Sequence, residues 1–240
     1  MDFDRESLLA AFLEDEADVA KIKAWCEEND HKRSDIFEWR LSKSDELREE
    51  GNALFKSGDY ETAVQRYFAA IYHLDFDVGQ QWNMMECHML DLNTRKLKVV
   101  SNICAAYMKA KDWVNTKAAA DIGLRHMQKA ELKDKHAEAR LLYRKGMANM
   151  ERGFTEEAYQ SLKQAAIAKP SDAEIRQGLL EASEGQKKDR REAKKVWKGS
   201  LLTEEEKACE GSWWQGSVAM ARFRVWRARC RRRLCPPKAD

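Results

Sequence analysis

Arg48 and Asn52 stand four residues apart in the stretch LREEGNALF, and Arg140 and Arg144 repeat that spacing in ARLLYRKG. In a helix, residues four apart share a face, so each pair points one way. Asn102, in a third such stretch, adds an amide. Guanidinium and amide N–H groups are donors, and a pocket made of these five side chains has no acid inside it. The chemistry that fits is anion recognition, a carboxylate above all, through charge-assisted hydrogen bonds. Nothing happens, however, unless the three segments are held side by side.

The elements that could hold them are helical. The chain has 240 residues, 35% charged and 43% hydrophobic, with only 3 Pro and 11 Gly. No sustained alternation of β-branched residues argues for strands. Aligning residues by spacing gives three helical pairs of about 34 residues, at 44–74, 97–127 and 139–170. The first turns at KSGDY, the second at KAKDW and the third at MERGFTEE. Leu54, Ala63, Tyr67 and Ala70 pack in the first pair, Tyr107, Trp113, Ala120 and Gly123 in the second, and Ala158, Leu162 and Ala165 in the third. Gly51 and Asn52 are poor residues for a helix interior, where glycine costs roughly 1 kcal/mol relative to alanine. Gly51, Cys104 and Gly146 occupy matching places, and a small residue there lets paired helices approach closely. Ala63, Thr116 and Ala158 match in the same way, and Pro170 ends the third pair.

This pattern resembles the tetratricopeptide repeat (TPR), which implies an all-α, right-handed solenoid of three helix pairs whose first helices line a concave groove. Arg48, Asn52, Asn102, Arg140 and Arg144 fall where carboxylate-clamp TPR proteins carry a basic residue and Asn, then Asn, then Lys and Arg. The resemblance implies an adaptor whose groove binds the acidic C-terminal peptide, Glu-Glu-Val-Asp, of the ninety- or seventy-kilodalton heat-shock chaperones. In that pattern Arg48, Asn52 and Asn102 hold the terminal carboxylate, while Arg140 and Arg144 hold the last Asp side chain or carbonyls upstream. Arginine replaces the commoner lysine at Arg48 and Arg140, which enlarges the head group. The insertion and LLYRKG look similar to the TPR region of FKBP-type immunophilins. Those carry a prolyl isomerase domain ahead of the repeats, for which the 43 residues before Ser44 leave no room.

Around the 44–170 repeat domain lie further expectations. Residues 1–43 read as helices packing on the first repeat, in SLLAAFLEDEA, VAKIKAWCEEND and IFEWRLSKSDEL. The insertion 75–96 extends the flanking helices, with Trp82, Met85 and Met89 at helical spacing. Residues 171–200, with Ser171 as N-cap, form a long capping helix that covers the apolar end of the solenoid. The tail 201–240 is strongly basic, with seven Arg, one Lys and one Asp in residues 222–240. It is expected to be disordered. Its Trp213, Trp214, Phe223 and Trp226 among arginines offer an alternative function, a TPR scaffold that binds RNA or an anionic membrane through the tail.

No enzyme is expected, because the chain lacks a Gly-rich phosphate loop, G-x-S-x-G and H-E-x-x-H. Cofactor and metal are not expected either. The six cysteines include no C-x-x-C pair and read as reduced thiols, and His73, His126 and His136 are placed on helix surfaces or ends. With no long apolar run and an acidic N-terminus, a cytoplasmic protein is expected.

Overall fold

Seven residues after each of Gly51, Cys104 and Gly146 the backbone turns left-handed, at Gly58 (φ 90°), Lys111 (φ 59°) and Gly153 (φ 81°). In each turn that residue's N–H donates to the carbonyl three residues back, and the next N–H to the carbonyl five back: Asp59 to Leu54, Asp112 to Tyr107 and Phe154 to Asn149. These are three copies of one C-terminal helix motif. Asp59 and Asp112 then cap the following helix by accepting from the N–H groups of Thr62 and Asn115. A computed structural model describes residues 28, 32, 34–76 and 78–201, and among them the helices are α1 (Phe37–Ser57), α2 (Tyr60–Leu74), α3 (Val78–Trp82), α4 (Glu86–Lys109), α5 (Trp113–Lys129), α6 (Lys135–Glu151), α7 (Thr155–Ala168) and α8 (Ala173–Leu201). Three antiparallel pairs, α1–α2, α4–α5 and α6–α7, stack in order.

Lys111 bears the cost of standing where the other repeats have glycine. A side chain in the left-handed region costs roughly 1–2 kcal/mol, while glycine loses about 0.5–1 kcal/mol of unfolded-chain freedom. Lys111→Gly is therefore expected to stabilise the domain by about 0.5–1 kcal/mol, read as a raised midpoint in denaturant unfolding.

The close approach within pairs is visible at the matched small residues. A Cβ on Gly51 would meet Tyr67 Cε1 at 2.5 Å, and one on Gly146 would meet Leu162 Cγ at 2.5 Å. In the middle pair the Cys104 thiol donates to the Thr116 carbonyl at 3.5 Å, and burial pushes this thiol up to about 11. Ala63, Thr116 and Ala158, twelve residues on from each, are fully buried. One apolar cluster runs through α1, α2, α4 and α5 into Ala137 and Leu141 of α6. A second joins Ala139 and Leu142 of α6, Ala165 of α7 and Ile175 of α8, so α8 covers the open face of the third pair. A Cβ on Gly178 of α8 would lie 3.4–3.5 Å from Leu162, Met147 and Tyr143, ordinary van der Waals contact.

Several expectations change. IFEWRLSKSDEL is not a separate helix: it begins α1, whose Arg40 is buried, stacks over the Phe76 ring at 3.7 Å and donates from Nε to the His73 carbonyl at 2.9 Å. The insertion divides, its first part forming α3 and its second part lengthening α4, and Trp82 is left exposed. Asp172, not Ser171, accepts from the Glu174 N–H at the start of α8. Trp113 is only half-buried. His73 and His126 lie inside rather than on the surface, and burial holds the His126 imidazole below its ordinary value, with Nε2 3.0 Å from the Asn93 carbonyl. SLLAAFLEDEA and the tail from residue 202 onward lie outside the described residues, as does nearly all of VAKIKAWCEEND. The chain divides into two units, Met1–Lys187 and Lys188–Asp240; in the second, residues 188–196 of the described helix are exposed. No described helix is long and apolar enough to cross a membrane.

Candidate functional site

The helices α1, α4 and α6 lie side by side, and polar side chains join them. Asn52 Oδ1 on α1 accepts from Tyr67 Oη and from Asn102 Nδ2 on α4, each at 2.9 Å. Next to Asn102, Ser101 accepts from Arg144 Nη1 on α6, through its carbonyl at 2.6 Å and its hydroxyl at 3.0 Å. Asn52, Asn102 and Arg144 are thus drawn onto one strip across three helices.

This network fixes which way Asn52 faces. Burial pushes Tyr67 up to about 12, so its hydroxyl remains a donor at neutral pH. Two donors already fill Asn52 Oδ1, which leaves Nδ2 turned outward with protons to give. It gives one to a carboxylate, Glu49 Oε2, at 3.1 Å. Arg48 lies beside it, with Nη2 2.6 Å from Glu49 Oε1 and Nε 3.6 Å from Asp45 Oδ1. That Nε is buried and makes no hydrogen bond among the described residues.

The arrangement departs from the sequence reading in two ways. Acids do stand at the site: Glu49, one residue from Arg48 and three from Asn52, is in reach of both, and unfilled donors draw it in. Asn52's hydrogen bond and Arg48's charge hold Glu49 below the usual carboxylate range. Arg144 is also half-buried, with Nη1 turned onto Ser101, rather than a freely solvent-facing side chain. Burial lowers its pKa, the Cys104 thiol opposes that shift, and Arg140's charge adds to it, yet the guanidinium stays a cation. Arg140 is exposed, one turn before Arg144, and makes no ion pair or hydrogen bond to another described residue.

Sequence reasoning passed over Lys98. It stands four residues before Asn102, the spacing that links Arg140 to Arg144, and that repeated interval was the available signal. Lys98 is exposed and, among the described residues, equally unpaired. Arg95 is different, since it is spent on Asp91 at 3.0 Å and on Asp45 of α1. Among the described residues no group of His, Cys, Asp and Glu could hold a metal ion. The face can do one thing well: present aimed N–H donors and unpaired cations to an extended anion.

No known family profile matches the chain. The peptidyl-prolyl cis-trans isomerase FKBP42 of Arabidopsis thaliana is 26% identical over 185 residues, 72% of this chain, and the chain spans less than half, 45%, of that relative's length. The C-terminal TPR-containing domain of a Plasmodium falciparum FK506-binding protein superposes with a TM-score of 0.55 at 23% identity, over 65% of this chain and 96% of that domain. The first TPR of Spaghetti (RPAP3), bound to the HSP90 peptide SRMEEVD, gives a TM-score of 0.46 at 18% identity over 61% of this chain and 94% of that one. The three stacked pairs with their covering helix form a TPR helical solenoid, the fold found in the TPR domains of FKBP-type proteins.

Proposed function

We propose that the face formed by α1, α4 and α6 binds the free C-terminal carboxylate of an acidic peptide, and that the protein is an adaptor rather than an enzyme. The partner that fits is the Glu-Glu-Val-Asp terminus of a cytosolic ninety- or seventy-kilodalton heat-shock chaperone. One observation carries the reading: Tyr67 and Asn102 saturate Asn52 Oδ1, so Asn52 Nδ2 is aimed outward as a donor and already holds a carboxylate. Arg48 and Asn102 flank that donor and read the terminal carboxylate with it. Arg140 and Arg144 take the last acidic side chain or the carbonyls before it, and Lys98 reaches an acid further upstream.

Charge-assisted hydrogen bonds contribute about 1.5–3 kcal/mol each, against an association cost of at least about 4 kcal/mol. Their balance gives a Kd on the order of micromolar, suited to a contact that must be released. Titration calorimetry with a Glu-Glu-Val-Asp peptide as free acid and as C-terminal amide tests the proposal. Amidation removes the charge that Arg48, Asn52 and Asn102 are assigned to read, and should weaken binding at least tenfold. Equal affinity for acid and amide overturns the proposal.

A further inference from the structure

We propose that Glu49 is a built-in competitor for the clamp, an internal carboxylate that the ligand's terminal carboxylate must displace; this rests on the reading of the face just given. Its two oxygens divide between the two donors of α1 that point outward, Oε1 to Arg48 Nη2 at 2.6 Å and Oε2 to Asn52 Nδ2 at 3.1 Å. One carboxylate bridging a guanidinium and an amide is the arrangement that a peptide terminus would make there. Glu49 therefore mimics the ligand.

Only Glu49 can leave. Asp45, the other acid near Arg48, is held by Arg95 on the neighbouring helix α4. The Glu49 side chain is 63% exposed, so its carboxylate is readily solvated when it turns away. Its departure frees Arg48 Nη2 for the incoming carboxylate, beside an Nε–H that is buried and makes no hydrogen bond among the described residues.

The consequence is an affinity threshold. A ligand with one carboxylate exchanges one carboxylate for another at Arg48 and Asn52 and gains little. A ligand with further acids engages the unpaired cations Arg140 and Lys98 as well, and those contacts are not offset by any displaced partner. The displacement cost is common to both ligands and cancels in their ratio, so the preference for several acids comes from Arg140 and Lys98, while Glu49 lowers both affinities and leaves the single carboxylate too weak to hold.

Glu49→Ala tests this in the full-length protein, with two free-acid probes: the Glu-Glu-Val-Asp peptide and Gly-Gly-Val-Ala, whose only negative charge is its terminus. Loss of the competitor should tighten both, by about three- to tenfold, because an exposed ion pair and a hydrogen bond no longer have to be broken. The single-carboxylate probe should gain by the same factor, so the preference for the acidic peptide is unchanged. Alanine is the better helix former, so circular dichroism should report an unchanged or higher melting midpoint. Unchanged or weaker binding of both probes to Glu49→Ala overturns the competitor while leaving the clamp standing, provided wild type still prefers the free acid to the amide. If wild type makes no such distinction, clamp and competitor fall together.

Discussion

Arg144→Ala is expected to weaken binding of the acidic free-acid peptide by roughly 1.5–3 kcal/mol, about ten- to a hundredfold, because a charged group loses its charge-assisted hydrogen bonds. The same change should also reduce stability. Arg144 Nη1 donates to both the carbonyl and the hydroxyl of Ser101, and so braces α6 against α4. Removing it takes two charge-assisted hydrogen bonds from between the two helices, at a cost of about 1–2 kcal/mol. Arg140→Ala separates the two roles. Arg140 is exposed and makes no described pair, so its loss should weaken the peptide while leaving the unfolding midpoint within about 0.5 kcal/mol of wild type. Calorimetric titration and urea unfolding on both variants give the comparison. An Arg144→Ala protein that binds the acid as well as wild type would remove Arg144 from the site.

That double role marks the boundary of what the sequence made legible. The intervals Arg48–Asn52 and Arg140–Arg144 follow from helix periodicity alone, which locates faces and needs no partner. The three repeats were readable because Gly51 and Gly146 are unusual inside helices, and an unusual residue advertises a close contact. What was not readable depends on a second helix. Whether Arg144 faces water or Ser101, and which way the Asn52 amide turns, is decided by side chains on other helices, with no periodic trace.

The missed boundaries have equally local causes. The first pair is placed from residue 44 by its spacing, but Ser44 is buried within α1, which begins at Phe37, and no glycine or proline separates the two. In the insertion, the helical spacing of Trp82, Met85 and Met89 gave no sign of the break between α3 and α4. Gln81 bonds back to the Phe76 carbonyl there at 2.5 Å, and the Met84 N–H to the Gln81 carbonyl at 3.1 Å, so a turn replaces the helix. Lys111 could be aligned with Gly58 from the sequence, but its left-handed backbone could only be inferred from the glycines it replaces.

Gly51→Ala should lower stability by about 1–3 kcal/mol, although helix propensity alone favours alanine by roughly 1 kcal/mol. The added methyl would sit 2.5 Å from Tyr67 Cε1 and 2.8 Å from Cδ1. Tyr67 is 1% exposed and packed on every side, so its ring cannot yield as the end of a flexible chain would. The ring is also the support of the site, since its hydroxyl holds Asn52 Oδ1 at 2.9 Å. Displacing it frees the amide to turn, and affinity for the acidic peptide should fall several-fold together with stability. Tyr67→Phe distinguishes support from bulk, because it removes the hydroxyl and keeps the ring. There the loss in stability should be about 1 kcal/mol, while Asn52 loses one of the two donors that orient it and peptide affinity drops. Denaturant unfolding and peptide titration on both variants provide the measurements. A Gly51→Ala protein more stable than wild type would mean that α1 and α2 stand further apart than a methyl group requires, and the coupling of repeat packing to Asn52 would be lost with it.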